Sequence, residues 1–281
     1  MCIDVHLSRL TVYPVKSCRG FDLHEALLTP HGIEWDREWM VVDRDGDFLT
    51  QRNHPRMALI GTALKPGALI LTAPGMPPLA TVISAGITRD GVPVRVWDHA
   101  TVAEDAGPAA TEWFSRYLGV DARLVRWRPD QRRLSPGEWT QGIEAEARFA
   151  DAFPYLLLSE ASLAGLNARM DGAAPLPTDR FRPNLAIAGC EAHDEDRLTE
   201  LTSATAAFRA VKPCTRCRIT NTDQNTAAVG IQPLETLAGY RRDARFKAPV
   251  FGQNLILLSG SGQTIRVGDS FRLSAPAPNA A

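Results

Sequence analysis

Two cysteines three positions apart, Cys214 and Cys217, are the residues of this sequence best suited to chemistry. They lie in the stretch VKPCTRCRITNTDQNT, beside Lys212, Arg216 and Arg218. Neighbouring cations favour the thiolate, which is the form of cysteine that binds metals and attacks electrophiles. The Asn, Asp and Thr residues that follow are typical of a turn. We therefore expect Cys217 to lie on or beside a strand and close to a loop.

The CxxC spacing alone allows three interpretations. A redox dithiol of the thioredoxin kind opens a helix in a βαβ unit, whereas the sequence after Cys217 indicates a strand and a turn. A structural zinc ion needs four ligands, which Cys190 and His193 of the CEAH stretch could complete together with the two CxxC thiols. Simple burial of both thiols is the third alternative. The spacing does not decide between them.

Other stretches carry residues that suit an anionic or heterocyclic ligand. PVKSCRG places Lys16 and Ser17 in a tight loop, where cationic and hydroxyl donors can meet a phosphate. DREW contains Arg37, and FRPN contains Arg182 beside a proline that stiffens the backbone. FGQN ends in Asn254, whose amide could bind the edge of a heterocycle. Taken singly, each stretch is equally compatible with a solvated turn or a structural ion pair.

The composition excludes several classes of protein. The chain has 281 residues, a net charge of -1 and 44% hydrophobic residues, which gives no bulk electrostatic reason for nucleic-acid or membrane binding. Five cysteines do not indicate a disulfide framework. No apolar run is as long as the roughly 18 residues of a membrane span, and Asp4 and His6 interrupt the place of a signal peptide. We expect a reduced, cytoplasmic protein.

The order of short strands and turns predicts a β-rich α+β fold with few helices. No convincing helix precedes about residue 105. Apolar spacing predicts helices at 108–118, 159–170 and 234–242, and 217–220 is expected to be a strand. We divide the chain into a small N-terminal β-rich domain, 1–104, which is a barrel or a sandwich, a second β-rich domain, 105–275, with a connector at 105–148, and a disordered tail, 276–281.

The motifs taken together resemble a known family. YPVKSCRG, DREWMVVD, LSEASLAGLN, FRPN, CTRC, PLETLAGYRR, FGQN and VGD follow in the order of the MOSC-domain family with its N-terminal β-barrel domain. The likeness is closest to the amidoxime-reducing members of that family and their bacterial relatives. It runs from about residue 7 to residue 273, which is nearly the whole chain.

The resemblance implies a molybdenum cofactor, the complex of molybdenum with molybdopterin. The second CxRC cysteine is the molybdenum ligand of the family and corresponds to Cys217, a soft ligand that suits the metal. The cofactor-binding positions that the resemblance implies are Lys16, Ser17, Arg37, Asp151, Ala152, Phe153, Arg182, Asn184, Thr215, Arg216 and Asn254. At Ala152 and Phe153 this chain departs from relatives that carry hydroxyl residues, so backbone contacts are expected there. We expect Cys214 near the site but not on the metal, and Cys18 close to it. Arg52 of QRNHPR is expected either to line the substrate entrance or to have a structural role.

The resemblance also implies an activity and its partners. The expected reaction is reduction of N-hydroxylated small molecules such as amidoximes and hydroxylamines. Because no cysteine follows Cys217, an iron–sulfur domain of the kind found in some relatives is not expected. Electrons would come from a separate donor, a ferredoxin, a cytochrome b5-like protein or a flavin reductase. The alternative is a cofactor carrier or sulfur-transfer module, and pyridoxal phosphate binding is a further family-level expectation.

Overall fold

The computed structural model describes residues 2–83, 91–170, 172 and 174–275. The predicted tail, 276–281, lies outside the described residues. The fold is of the predicted β-rich α+β class with few helices, in which a small N-terminal unit of short β-sheets packs on a larger β-barrel.

The described residues form short strands and four α-helices. The strands are β1 (Cys2–Val12), β2 (Phe21–Leu23), β3 (Glu25–Thr29), β4 (Gly32–Ile33), β5 (Trp39–Val42), β6 (Gly61–Lys65), β7 (Ala68–Thr72), β8 (Leu79–Val82), β9 (Gly91–Val96), β10 (His99–Asp105), β11 (Arg123–Trp127), β12 (Tyr155–Ser159), β13 (Leu185–Ala188), β14 (Glu200–Thr202), β15 (Ala207–Thr215), β16 (Arg242–Asp243), β17 (Ala248–Ser259), β18 (Thr264–Arg266) and β19 (Ser270–Ser274). The α-helices are α1 (Pro108–Leu118), α2 (Gly137–Thr140), α3 (Glu160–Asn167) and α4 (Leu234–Tyr240). Single 3₁₀ turns cover Pro55–Leu59, Thr178–Arg180, Asp194–Arg197 and Arg218–Asn221.

Seven strands of the largest sheet close into a barrel. Their order is β12-β13-β1-β19-β14-β15-β17, and β17 returns to pair with β12 through Tyr155 opposite Leu255. Closure leaves no free edge among these strands. Inward-facing residues such as Leu10, Phe208 and Leu273 are fully buried in the barrel core. Each such side chain contributes roughly 1.5–3 kcal/mol of hydrophobic stabilisation.

The N-terminal half builds a second core. The sheet β5-β11-β10-β9 and the sheet β6-β7-β8 enclose it, and α1 covers it with Trp113, Phe114 and Tyr117. Helix α1 begins at Pro108, as predicted, and ends where Gly119 adopts a left-handed φ of 72°.

The two halves share elements across the predicted border at residue 104. Strand β1 is part of the seven-stranded barrel, where it pairs with β13 and β19. Strand β11 belongs to the N-terminal sheet through β5 and β10. The domain border at residue 104 stays a prediction. Strand β1 lies before this border but belongs to the seven-stranded barrel, and β11 lies after it but belongs to the N-terminal sheet.

The local predictions need three corrections. The helix predicted at 234–242 ends at Tyr240, and Arg242 begins strand β16. The expected strand at 217–220 is wrong, because β15 ends at Thr215 and the 3₁₀ turn Arg218–Asn221 follows Cys217. Helix α3 is capped by Ser159, as predicted, but it ends at Asn167. Met170 is buried, but it lies in the turn after the helix and not in the helix itself. None of the described helices is long and apolar enough to cross a lipid bilayer.

Glu195 stabilises the start of α3 from the neighbouring 3₁₀ turn. Its carboxylate accepts hydrogen bonds from the hydroxyls of Ser159 and Ser162 at 2.9 and 2.8 Å. Burial raises the pKa of Glu195 above the ordinary value of 4.5, and the two serine hydroxyls offset only part of that effect. The contribution of this group to stability is therefore complete below pH 4.5 and decreases as the pH rises through its folded pKa.

We expect Glu195→Gln to remove this pH dependence, because the amide cannot ionise. The free energy of unfolding of the variant, measured relative to the natural protein by urea denaturation, should rise as the pH increases from about 4.5 towards neutrality. Ser203→Ala, on a distant loop, serves as a control for general pH effects. A difference that does not change with pH would show that Glu195 has an ordinary pKa.

Candidate cofactor site

One cavity between the seven-stranded barrel and the N-terminal unit brings the predicted site residues together. Its volume is about 140 Å³. The predicted residues that line it are Lys16, Ser17, Arg37, Asp151, Ala152, Phe153, Arg182, Asn184, Thr215, Arg216, Cys217 and Asn254. They come from the loop after β1, the loops before β5, β12 and β13, the end of β15 with the two residues after it, and β17. The chain thus gathers residues that are far apart in sequence, although their roles in binding stay predictions.

Cys217 lies at the exposed end of this cavity, immediately after β15. The register places Pro213 opposite Gln253 and Thr215 opposite Val250, so Phe251 and Gly252 face the single residue Cys214. This β-bulge bends the strand pair beside the site. It depends on Gly252, whose φ is +78°.

Cys214 lines the cavity but is less exposed than Cys217. Burial raises the pKa of the Cys214 thiol, and the nearby Arg216 offsets this only in part. Cys214 is therefore a neutral thiol, a poorer metal ligand than a thiolate. Cys18, which we expected near the site, is fully buried in the N-terminal core, and burial raises its pKa to about 12.

Lys16 and Asp151 form an ion pair across the cavity. The Lys16 ammonium lies 2.5 Å from the Asp151 carboxylate and 2.9 Å from the carbonyl of Phe149. Burial lowers the pKa of Lys16, and Asp151 counteracts this. The protein around the cavity opposes ionisation of Asp151 although its side chain is accessible, but the charge of Lys16 outweighs this desolvation and lowers the pKa of the carboxyl. The Asp151 side chain remains 71% exposed towards the cavity, so the pair can still meet a ligand.

Arg133 holds the loop that carries Asp151. Its guanidinium donates to the carbonyls of Arg148, Ala150 and Asp151 at 2.8, 2.7 and 2.6 Å. Arg133 is only 9% exposed and lies in the predicted connector. The sequence offered no motif for it, because its role depends on backbone atoms 15 to 18 residues away.

Arg37 and Arg182 approach the same tyrosine. Their guanidinium carbons lie 4.5 and 4.2 Å from the ring centre of Tyr13. Both arginines have positive φ angles, 48° and 56°, a conformation that non-glycine residues adopt mainly where the surrounding structure enforces it. Arg37 donates to Asp36 and Asn184. Burial raises the pKa of Tyr13 to about 12, so the ring stays neutral beside the two cations.

Two buried guanidinium nitrogens of the cavity arginines have no hydrogen-bond acceptor in the described residues. These are Nη2 of Arg182 and Nη2 of Arg216. The other nitrogens of these side chains donate to the carbonyls of Cys18, Phe251 and Phe181. A buried donor without a partner costs about 1–3 kcal/mol, which an external acceptor would recover.

The cavity has a strong excess of positive charge. Its cations are Lys16, Arg37, Arg52, Arg180, Arg182 and Arg216, and Asp151 is the one acidic side chain among the described lining residues. Free guanidinium donors in such surroundings suit a phosphate or a polar heterocycle. The residues present therefore fit an anionic cofactor with a soft metal centre at Cys217.

The zinc alternative is not supported by the geometry. Across the described ranges, no three His, Cys, Asp or Glu side chains come together as a metal site. Cys190 packs against the barrel core, beside the Ser159 and Glu195 cluster. The dithiol alternative also lacks its helix, since Cys217 is followed by a 3₁₀ turn.

Some lining residues were not predicted. They are Thr50, Ala150, Leu156, Arg180, Phe181, Ile219 and Thr220, and Arg52 was expected only at the entrance or in a structural role. Arg180 is structural, because it donates to the carbonyls of Thr220 and Gln232 at 2.8 and 3.1 Å. It precedes the FRPN motif, which was the signal that could have identified it. Pyridoxal phosphate binding stays a prediction that none of these contacts tests.

Sequence comparisons match both halves of the chain. Residues 4–121 match the MOSC N-terminal beta barrel domain, and residues 144–272 match the MOSC domain. The chain is 34% identical to mitochondrial amidoxime-reducing component 1 of Mus musculus over 94% of its own length and 80% of that protein. The same component of Homo sapiens is 34% identical over 94% and 81%. Component 2 of Bos taurus is 33% identical over 84% and 72%. The chain therefore belongs to the MOSC family of proteins with an N-terminal β-barrel domain that includes the mitochondrial amidoxime-reducing components.

Proposed function

We propose that the protein is a molybdenum-cofactor oxidoreductase that reduces N-hydroxylated small molecules. The observation that supports this most directly is the cavity that combines an exposed Cys217 with the unpaired Nη2 atoms of Arg182 and Arg216. The family membership supports the same activity, because relatives over most of the chain are named for amidoxime reduction.

The proposal assigns separate tasks to the residues of the cavity. Cys217 would supply the protein ligand of the metal. Arg182, Arg216 and Lys16 would hold phosphate and polar ring atoms of the pterin, since all three line the cavity and the two arginines each keep an unpaired buried donor. When bound, the cofactor supplies the two-electron redox chemistry that no side chain can provide.

The reaction needs two electrons and two protons for each N-hydroxyl group, which leaves as water. The electrons would come from a separate protein, as the resemblance to the family implies. A ferredoxin, a cytochrome b5-like protein or a flavin reductase stays the predicted donor. Cytoplasmic localisation likewise stays a prediction.

The test is to purify the protein from cells that make the cofactor, measure molybdenum and pterin, and follow reoxidation by benzamidoxime after reduction with a viologen dye. We expect near-stoichiometric molybdenum and pterin and a reoxidation rate that depends on benzamidoxime. Bound cofactor without reoxidation would overturn the reductase and favour the carrier or sulfur-transfer alternative. Zinc without pterin would overturn the cofactor site itself.

A further inference from the structure

Arg52 differs from the other cavity arginines in the hydrogen bonds that its guanidinium makes. The side chains of Arg37, Arg180, Arg182 and Arg216 each donate to at least one protein oxygen. In the part of the chain that the structure describes, no protein oxygen accepts from the Arg52 guanidinium. Among the described residues, its hydrogen-bonding contact is from Nη1 to Sγ of Cys217, at 3.9 Å, and its charge adds to the effect of Lys16 on the pKa of Asp151. Arg52 thus has free donors beside the proposed metal ligand.

An aromatic pair holds Arg52 in this place. The guanidinium carbon lies 4.8 Å from the ring centre of Trp97 and 5.8 Å from that of Phe48, and the two rings meet edge to face at 5.1 Å. We call Trp97 and Phe48 the aromatic platform. Cations bind favourably over such rings, and a stacked guanidinium keeps its N–H edge free for ligand oxygens.

The conformation of Trp97 is unusual for a bulky residue. It lies in the turn between β9 and β10 with a φ of +55°, where glycine is favoured, and the residue is 42% exposed. A large residue in this conformation costs free energy, so its ring needs a compensating role. Support of Arg52 at the mouth of the cavity is such a role.

The position of Arg52 favours a substrate over the cofactor as its ligand. The unpaired donors of Arg182 and Arg216 are buried, whereas the contact of Arg52 with Cys217 lies at the exposed end of the cavity. Asp151, the acidic residue of the cavity, is already paired with Lys16 at 2.5 Å. A free guanidinium fork at this mouth is complementary to a carboxylate.

We propose that Arg52 binds an anionic group of the substrate, so that the protein prefers N-hydroxylated compounds that carry a carboxylate. This rests on the proposed function and adds the substrate class. Arg52 contacts the substrate, and Trp97 is a positioning residue that acts through Arg52. The preference arises because the charge-assisted hydrogen bonds form with acidic substrates and not with neutral ones.

The first experiment compares 4-carboxybenzamidoxime with benzamidoxime. Hydrogen bonds to charged groups contribute about 1.5–3 kcal/mol, so we expect kcat/KM to favour the carboxylate by roughly tenfold or more. Arg52→Gln should abolish this preference, mainly through KM of the acidic compound, and Arg52→Lys should keep part of it. An equal loss for both compounds in Arg52→Gln would overturn the proposal.

The second experiment needs neither cofactor nor turnover. In cofactor-free protein, Cys217 is alkylated with iodoacetate or with iodoacetamide, and its peptide is quantified by mass spectrometry. Because both reagents attack the same thiolate, the ratio of their rates reports anion attraction and not the fraction of thiolate. We expect the ratio to fall several-fold in Arg52→Gln, and an unchanged ratio would overturn the proposal. A fall in this ratio without any amidoxime reduction would mean that the proposed function fails while Arg52 still attracts anions.

The platform is tested with a pair of variants at Trp97. Trp97→Gly removes the ring at a φ that glycine accepts readily, so the turn itself should persist. We expect it to lower the iodoacetate to iodoacetamide ratio, and we expect Trp97→Phe to restore most of it because an aromatic face remains. A ratio that is the same in both variants would show that Trp97 does not position Arg52.

Discussion

Cys217→Ala should abolish both bound molybdenum and amidoxime reduction. The alanine side chain offers no soft ligand, and no other thiolate is available at the exposed end of the cavity, because burial keeps Cys214 neutral. The pterin should remain bound, since the guanidinium groups of Arg182 and Arg216 are unchanged. Metal analysis by mass spectrometry and pterin release measured by fluorescence check the two parts separately.

Cys214→Ala is the matched control for this prediction. It removes a thiol from the same cavity and from the same motif, three residues earlier. We expect it to keep molybdenum and most of the activity. Full metal content in Cys217→Ala would show that Cys217 is not the metal ligand. Loss of the metal in Cys214→Ala alone would show that Cys214 is the ligand instead.

Gly252→Ala should cause a large loss of stability. A Cβ atom at this residue would lie 2.5 Å from the carbonyl oxygen of Leu157, which real Cβ atoms do not approach so closely. The φ of +78° adds a cost of about 1–2 kcal/mol for an L-residue, and the overlap adds about 1–3 kcal/mol. Thermal or urea unfolding should therefore show a decrease of several kcal/mol.

Gly262→Ala separates the two causes of that loss. Its φ is +80°, almost the same as at Gly252, but a Cβ there would meet nothing within 4 Å. We expect Gly262→Ala to cost only the conformational part, about 1 kcal/mol. Equal losses in the two variants would show that backbone conformation alone explains the effect and that the barrel relaxes around Leu157.

The ordered motifs of the sequence identified most of the candidate site. Lys16, Arg182 and Asn254 carried no decisive signal singly, yet the structure places them in one cavity with Cys217. This was predictable because a resemblance of many short motifs in order specifies a fold, and the fold specifies which loops meet. The local chemistry of each motif was compatible with surface turns.

Other features could not be predicted because they depend on tertiary contacts. The 3₁₀ turn after Cys217 replaces the expected strand, although ITN has the β-branched residues of a strand. Arg133 has no motif, because it binds backbone carbonyls. The role of Arg52 depends on Trp97 and Phe48, which lie on different strands or turns, and on Cys217, 165 residues later.

The place of β1 in the barrel has a consequence for how the chain can fold during synthesis. The ribosome makes residues 2–12 long before their partners β13 and β19, which lie at 185–188 and 270–274. Pairing so distant in sequence is slow and carries a large loop-closure entropy. The barrel that contains Cys217 cannot close until nearly all of the described chain has emerged, and until then β1 exposes an unpaired edge. If Cys217 holds the cofactor as proposed, loading would therefore follow synthesis of nearly the whole described chain.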